Sequence, residues 1–373
     1  MSVRWELRPE DGGTRLEQTV SVDGPGTPLV AAAAAGPLAK DFAENCARLH
    51  RLAGGAATRG PRIAIAGGSG FLGRRLAADL ACRGHDVVVL TRSPDPDSPF
   101  RQVAWDAAGP GDWTRELEHA GPVAVVNLAG ALVDRRPSPR NVAALRDSRV
   151  RSTHALVEAC AALPRPVSSW VQASTTAVFG DAGEARLDEH SPVPTGDVAL
   201  PQMTGVAVPW ENAAADANTD HLTILRAAIV LEWECPAVDR LALLARMGLG
   251  GAVGDGRQWF SWIHWEDWLG VVRAALGLEP AIELPAGVVV AAAPEPVRNA
   301  ELMAMLRERL SPRSLRRVSL RTPAPLVRVG ALALGTDPAL GLTGRHVTST
   351  VLGDAGFAFR HPRLGPALAD ITG

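Results

Sequence analysis

Three glycines at three-residue spacing, Gly67, Gly70 and Gly73, follow directly on the run Arg62-Ile63-Ala64-Ile65-Ala66. They lead into a helical pattern that reaches about Arg83. A strand before the glycines and a helix after them give the spacing a chemical meaning. Gly67 permits a tight turn. Gly70 lets the backbone approach a pyrophosphate facing the helix N-terminus, and Gly73 allows close helix–strand packing. Ser69, Phe71 and Leu72 complete the loop. The second strand ends in Thr91-Arg92-Ser93, where a carboxylate would favour ribose hydroxyls. A cation with two hydroxyls suits a 2′-phosphate instead, so the expected cofactor is NADP(H).

Other residues could move protons. Thr175 and Ser174 end a strand pattern over 170–175 and can donate hydrogen bonds. Asp181, Glu184, Asp188, Glu189 and His190 follow, at the end of a parallel sheet where ligands gather. His190 titrates near neutrality and Glu189 could orient it as a general acid–base pair; the alternative is a solvated acidic loop. Glu211 is a candidate proton carrier or a structural ion-pair partner. His264 reads as a core histidine and Asp267 as a helix N-terminal acid. Trp259, Trp262, Trp265 and Trp268 recur every third residue, as core or as the wall of an apolar pocket, and Trp210 could cover the nicotinamide end. Cys46, Cys82, Cys160 and Cys235 form no CxxC, which fits a reducing cytoplasm and no metal site.

The elements that position these residues alternate. Buried-strand patterns cover 62–66, 86–90, 123–128, 170–175 and 221–231, with helices between them, notably 141–162. The expected fold class is therefore α/β, a Rossmann-type doubly wound parallel sheet with both faces covered, here over 62–233. A smaller substrate-side and helical region follows over 234–373, with helices near 299–310 and 323–334. Residues 3–7 and 14–22 alternate as two strands around the turn signal Glu10-Asp11-Gly12-Gly13, and 29–52 reads as a helix. Residues 55–61 read as a linker after this N-terminal unit of 1–54. The whole chain of 373 residues is 46% hydrophobic with a net charge of −2, which supplies a full core and argues against a nucleic-acid surface. The longest apolar run, 28–36, is too short to span a bilayer, and the first residues carry no signal-peptide core. There is no tyrosine, and Lys40 stands against 37 arginines.

These residues resemble the extended short-chain dehydrogenase/reductase superfamily. More narrowly, they resemble its atypical epimerase-family proteins with a small C-terminal domain of unknown function, formerly mislabelled cell-division inhibitors. The resemblance runs from about 62 to 371. It is carried by Gly67 to Gly73, Thr91-Arg92, Asn127-Leu128-Ala129-Gly130, Ser148-Arg149 with Ser152-Thr153, Trp210-Glu211 and Leu225-Arg226. Further marks are Gly256-Arg257-Gln258, Trp262-Ile263-His264, Leu342-Thr343 to Arg345 and Ala355-Gly356-Phe357-Ala358-Phe359. It implies cofactor contacts at Asp106, Leu128, Ala129, Gly130, Arg149, Ala173 and Ala228 beside those of the glycine loop and of Thr91, Arg92 and Ser93. Residues 1–54 resemble the last two strands and final helix of a helix-grip, polyketide cyclase-like domain, which some actinobacterial members carry in front. That piece cannot enclose a cavity alone. It could dock on the main domain, pair across a homodimer, or be a relic.

The superfamily pattern also implies a Ser or Thr after the fifth strand and a Tyr-x-x-x-Lys on the next helix. Thr175, with Ser174 beside it, matches the hydroxyl. Counting back from Trp210-Glu211, the tyrosine position falls near Met203 and the lysine position near Ala207, and Phe179 stands where relatives usually have a tyrosine. Pro209 suggests a distorted first turn or a helix start near Trp210. The expectation is an NADPH-binding reductase or epimerase acting on a small hydrophobic or polyketide-like carbonyl, with Thr175, Ser174, His190 and Glu211 as catalytic candidates. The alternatives are a non-redox cyclase, isomerase or dehydratase, and an inactive NADPH sensor.

Overall fold

The computed structural model describes residues 2–10, 13–21, 42–54, 60–133, 136–232, 235–246, 248, 250–312, 319–335 and 337–372. It opens with an antiparallel hairpin, β1 (Ser2–Glu10) and β2 (Gly13–Ser21), in register from Ser2↔Ser21 to Glu10↔Gly13. Helix α1 covers residues 42–52. The expected helical stretch 29–41, the turn residues Asp11 and Gly12, and linker residues 55–59 lie outside the described residues.

Next come β3 (Arg62–Ala66), α2 (Phe71–Cys82), β4 (Asp86–Thr91), β5 (Arg101–Ala104), β6 (Val123–Asn127), α3 (Pro139–Ala161) and β7 (Ser169–Thr175). They are followed by β8 (Arg186–Leu187), α4 (Thr204–Asn212), β9 (Leu222–Ala227), β10 (Ile229–Leu231) and α5 (Pro236–Arg246). Then come β11 (Trp259–Phe260), β12 (Trp262–His264), α6 (Trp265–Ala275), β13 (Gly287–Ala291), β14 (Val297–Arg298) and α7 (Asn299–Leu310). The chain closes with α8 (Ala324–Leu334), α9 (Ala339–Leu342), β15 (His346–Val347), α10 (Thr350–Asp354) and α11 (Leu364–Thr372).

Seven strands form one parallel sheet in the order β5-β4-β3-β6-β7-β9-β13. This is the doubly wound order: the strands are added outward in opposite directions on the two sides of the β3–β6 boundary. Its central strands are covered on both faces: Ile63, Ala64, Ile65, Val88, Val89, Val125 and Val126 are fully buried. One face packs against α2 and α6, the other against α3 with Trp105, Trp113 and Trp170. The seventh strand, β13, comes from beyond residue 234, so the sheet crosses the boundary expected at 233/234. The run expected over 221–231 breaks at Ala228. Its N–H turns to the Ala291 carbonyl, and β10 leaves the sheet to pair with β12.

The N-terminal unit docks on the main domain. Ala43 and Ala47 of α1 join the core formed by α2 and α6. Arg48 donates to the Asp97 carbonyl at 2.9 Å, Trp5 stacks on Phe42 with ring centres 6.2 Å apart, and Arg15 of β2 pairs with Glu266 at 3.2 Å. Among the described residues no helix is long and apolar enough to cross a membrane.

Candidate active site

The loops after β3 and β6 meet at the switch point. Gly67 has φ +76°, and a Cβ there would lie 2.9 Å from the Leu128 carbonyl carbon. Gly73 is more constrained: a Cβ would approach Gly68 Cα to 2.5 Å and Gly67 O to 2.6 Å. The loop is held from inside, with the Gly70 N–H donating to Gly67 O at 3.0 Å. Helix α2 begins after Gly70 with no side-chain cap. Its first N–H groups are therefore available to an anion.

Behind this cradle, Thr91 is buried and its Oγ1 bonds to Ser69 Oγ at 2.9 Å, so Thr91 fixes the loop rather than facing a ligand. Arg92 and Ser93 are exposed at the strand end. Asp106 accepts the Ala108 N–H at 2.9 Å, bracing Ala107 at φ 62°. On the β6 side, Asn127 is buried; its Nδ2 donates to Thr153 Oγ1 and Gln172 Oε1, and its Oδ1 accepts the Ala129 N–H. That network fixes Leu128, Ala129 and Gly130 under the site. A Cβ at Gly130 would lie 2.9 Å from the Arg149 guanidinium carbon, so a larger residue there would displace that side chain.

Arg149 is held between the Gly130 backbone and the Trp210 ring, 4.9 Å from its guanidinium carbon to the ring centre. It donates to the Leu145 carbonyl at 3.2 Å and faces no carboxylate among the described residues. Desolvation pushes this guanidinium down to about 10. Trp210 Nε1 is buried without an acceptor. A recessed guanidinium without a counter-ion, beside an indole N–H without an acceptor, is what a bound anionic or amide-bearing ligand would satisfy.

The hydroxyl pair divides. Ser174 Oγ donates to Glu211 Oε1 at 2.5 Å, and Glu211 is clasped by Arg226 through Nε at 2.9 Å and Nη2 at 2.8 Å. All three side chains are buried. Glu211 and Ser174, expected as catalytic candidates, thus lock α4 against β7 and β9. Thr175 is half-buried, and its Oγ1 accepts the Ala177 N–H at 3.1 Å, which leaves its own proton to donate. Ala173 lies beside it, half-buried, and Ala228 is buried at the β9–β10 break.

The acid–base pair expected in the following loop is not assembled. His190 is exposed and only its backbone N–H is bound, to Asp188 Oδ1. Glu189 is buried and accepts from the Val290 N–H, Ser349 Oγ, the Thr350 N–H and Thr350 Oγ1, so it cannot orient the imidazole. Asp181 accepts the Gly344 N–H, and Glu184 pairs with Arg298 and Trp259. The tryptophan series is structural. Trp262 and Trp268 are core, Trp259 lies under Arg298 with 3.7 Å from guanidinium carbon to ring centre, and Trp265 lies under Arg75. His264 is fully buried and its Nδ1 caps α6 through the Glu266 N–H at 3.3 Å. With His361 and Asp370 it forms a three-residue group whose ligand atoms lie within 4.8 Å of one another; the cysteines take no part in it.

Helix α4 starts at Met203–Thr204, not near Trp210, and holds Pro209 inside it. Met203 is buried, with Arg345 Nη2 at 3.6 Å from its sulfur. Arg345 was visible in the sequence only as part of a C-terminal motif. Its place here depends on a contact across 142 residues.

The fold and the cradle define a dinucleotide-binding protein of the extended short-chain dehydrogenase/reductase class. Residues 63–204 match the NAD dependent epimerase/dehydratase family, and residues 322–371 match the domain of unknown function DUF1731. The chain is 32% identical over 320 residues to an Arabidopsis thaliana protein, epimerase family protein SDR39U1 homolog, chloroplastic, covering 83% of this chain and 86% of that one. It is 30% identical over 314 residues to epimerase family protein SDR39U1 of Bos taurus, covering 83% and 99%. The chain belongs to this epimerase family, whose relatives here come from plants, mammals and bacteria. Human SDR39U1 isoform 2, solved with NADPH, superposes with a TM-score of 0.67 at 29% identity over 83% of this chain and 99% of that one. A nucleoside-diphosphate sugar epimerase from Corynebacterium glutamicum also gives a TM-score of 0.67, at 26% identity. It covers 99% of this chain, N-terminal unit included, but only 70% of its own.

Proposed function

We propose that this chain is an NADPH-dependent oxidoreductase that reduces a carbonyl compound, with Thr175 as the polarising hydroxyl in place of a Tyr–Lys pair. The observation that carries the reading is the division between Ser174 and Thr175. One hydroxyl is bound into an ion pair, and the other keeps a free proton at the carboxyl end of β7.

The residues fit the cofactor. A side chain at Gly67 or Gly73 would force apart the loop backbone that shapes a pyrophosphate cradle, and the uncapped α2 terminus lies at that loop. Arg149 supplies a cation without a counter-ion and Trp210 Nε1 a donor without an acceptor. Arg92 and Ser93 would take the 2′-phosphate as an exposed charge-assisted pair. The human relative solved with NADPH supports the same choice. When bound, the nicotinamide would supply the hydride.

The chain's own part is positioning and polarisation. Thr175 donates to the carbonyl oxygen, which accumulates negative charge as it is reduced. A preorganised donor of that kind contributes about 10²–10³ in rate. Since Asp181, Glu184 and Glu189 are all engaged elsewhere, the proton that completes the alcohol comes from water. Absorbance of NADPH at 340 nm is followed with a panel of aldehydes, ketones and 2-oxo acids. Oxidation that falls at least tenfold in Thr175→Val and persists in Ser174→Ala supports the reading. Bound NADPH that no carbonyl oxidises would favour a non-redox isomerase or cyclase.

A further inference from the structure

The arginines of this molecule that are at least half withdrawn from solvent come in two kinds. Arg226 is paired with Glu211, Arg273 with Asp79 and Glu279, Arg62 with Asp86 and Glu116, and Arg75 with Glu232. Arg149 and Arg345 face no carboxylate within ion-pair distance among the described residues. Burial pushes both guanidiniums down to about 10, in Arg345 against the field of Asp181. A recessed cation without a counter-ion is costly to keep unless something else supplies the charge. Arg149 lies against the cofactor cradle, which accounts for it. Arg345 is left over.

Its position is specific. Nε donates to the Gly180 carbonyl at 2.6 Å, and Gly180 closes the short helical turn that Thr175 caps. Nη2 donates to Thr343 Oγ1 at 2.8 Å and lies 3.6 Å from Met203 Sδ. Met203, near which the resemblance puts the superfamily's tyrosine position, stands at the start of the helix that also carries Trp210 and Glu211. The side chain is therefore wedged between the end of the Thr175 turn and the start of α4. Nη1 donates to none of the described residues and is not sealed in. Asp181, the acid whose field reaches it, is exposed and accepts the Gly344 N–H.

We propose that Arg345 is a substrate-binding residue that holds an anionic group of the carbonyl substrate, a carboxylate or phosphate, through Nη1. The C-terminal domain thereby supplies a fixed positive charge at the place where the superfamily has its phenol. The substrate class becomes an anionic carbonyl compound such as a 2-oxo acid or a phosphorylated ketone. This inference rests on the cleft being the carbonyl site proposed above.

The test separates the two. The NADP⁺ complex of the wild-type protein is titrated by calorimetry with phenylpyruvate, 2-oxoglutarate and inorganic phosphate. The neutral methyl esters of the two acids are titrated in parallel. The same titrations are run on Arg345→Gln and Arg345→Lys, with NADP⁺ affinity and melting temperature as controls. At least one anion should saturate the wild-type site, and its ester should bind at least tenfold more weakly. Arg345→Gln should weaken the anion by roughly 10- to 100-fold, as expected for a charge-assisted bond, and Arg345→Lys should restore part of that. NADP⁺ affinity should stay within about twofold in both variants. Esters that bind as well as acids, an anion that binds Arg345→Gln like wild type, or no saturable anion at all would each overturn the proposal. If Arg345→Gln does not fold, the acid–ester comparison on wild type and the lysine variant still decide it. Anion binding that depends on Arg345, in a protein that never oxidises NADPH, would keep the clamp and remove the reductase reading.

Discussion

Ser174 and Thr175 are neighbours on β7 whose hydroxyls are committed in opposite ways. Ser174 Oγ donates to Glu211 at 2.5 Å, whereas Thr175 Oγ1 accepts the Ala177 N–H and keeps its proton. Alternation along a strand sends the two side chains to opposite faces, so they cannot share a task. Thr175→Val should lower turnover by roughly 10²-fold with NADPH affinity unchanged. Thr175→Ser should retain most of the rate, and Ser174→Ala should stay within a few-fold of wild type. Steady-state kinetics on the three variants check this; a Ser174→Ala loss as large as that of Thr175→Val would reverse the assignment.

The Glu211–Arg226 pair should be a stability element. Both side chains are about nine-tenths buried, and Arg226 lies 5.2 Å over the Phe179 ring. Glu211→Ala leaves a buried guanidinium unpaired and should cost about 3–5 kcal/mol. The double variant with Arg226→Ala should cost less than the sum of the two singles. Urea unfolding of the single and double variants measures both numbers, and simple additivity would dissolve the pair.

Gly73→Ala should disable the cradle. Its Cβ would sit 2.5 Å from Gly68 Cα, so the loop must open and the α2 terminus must move. A loss of about 1–3 kcal/mol in stability is expected, with NADPH affinity reduced more than tenfold. Gly109→Ala, where a Cβ meets nothing within 4 Å, is the control and should change stability by less than about 0.5 kcal/mol.

Asp370 ties the C-terminal helix to the buried His264. His264 Nε2 stands 3.2 Å from its Oδ2 and holds the carboxyl below its ordinary value of 3.8; His361 and Arg15 act in the same direction. A carboxyl with a depressed folded pKa stabilises fully above its unfolded value. That contribution is lost as pH falls through the folded one. The difference in melting temperature between wild type and Asp370→Asn should therefore be constant above about pH 5 and shrink towards pH 3. A difference that grows on acidification would contradict this geometry.

What was legible in the sequence follows from locality. The strand of 62–66, the glycine loop and α2 are read from one contiguous stretch, residues 62–82, because a strand buried on both faces is apolar throughout and glycine marks its end. β5 escaped notice as a half-exposed edge strand of four residues. β13 escaped because only its pairing with β9, some sixty residues earlier, makes it part of the sheet. The same limit governed the site. His190 and Glu189 have the right types for proton transfer, but Glu189 turns to Val290, Ser349 and Thr350. Arg226 carried a signal that could have been used: an arginine inside the run Thr223-Ile224-Leu225-Arg226-Ala227 must find a carboxylate, and Glu211 was the acid one helix away.

The cradle should select NADPH over NADH and release it to solution. Quenching of tryptophan fluorescence, titrated with NADPH and with NADH on wild type and Arg92→Ala, measures both properties. Saturable, reversible binding of NADPH at least tenfold tighter than NADH is expected, with that preference lost in Arg92→Ala. Equal affinities for the two nucleotides in wild type, or no saturable binding of either, would contradict it.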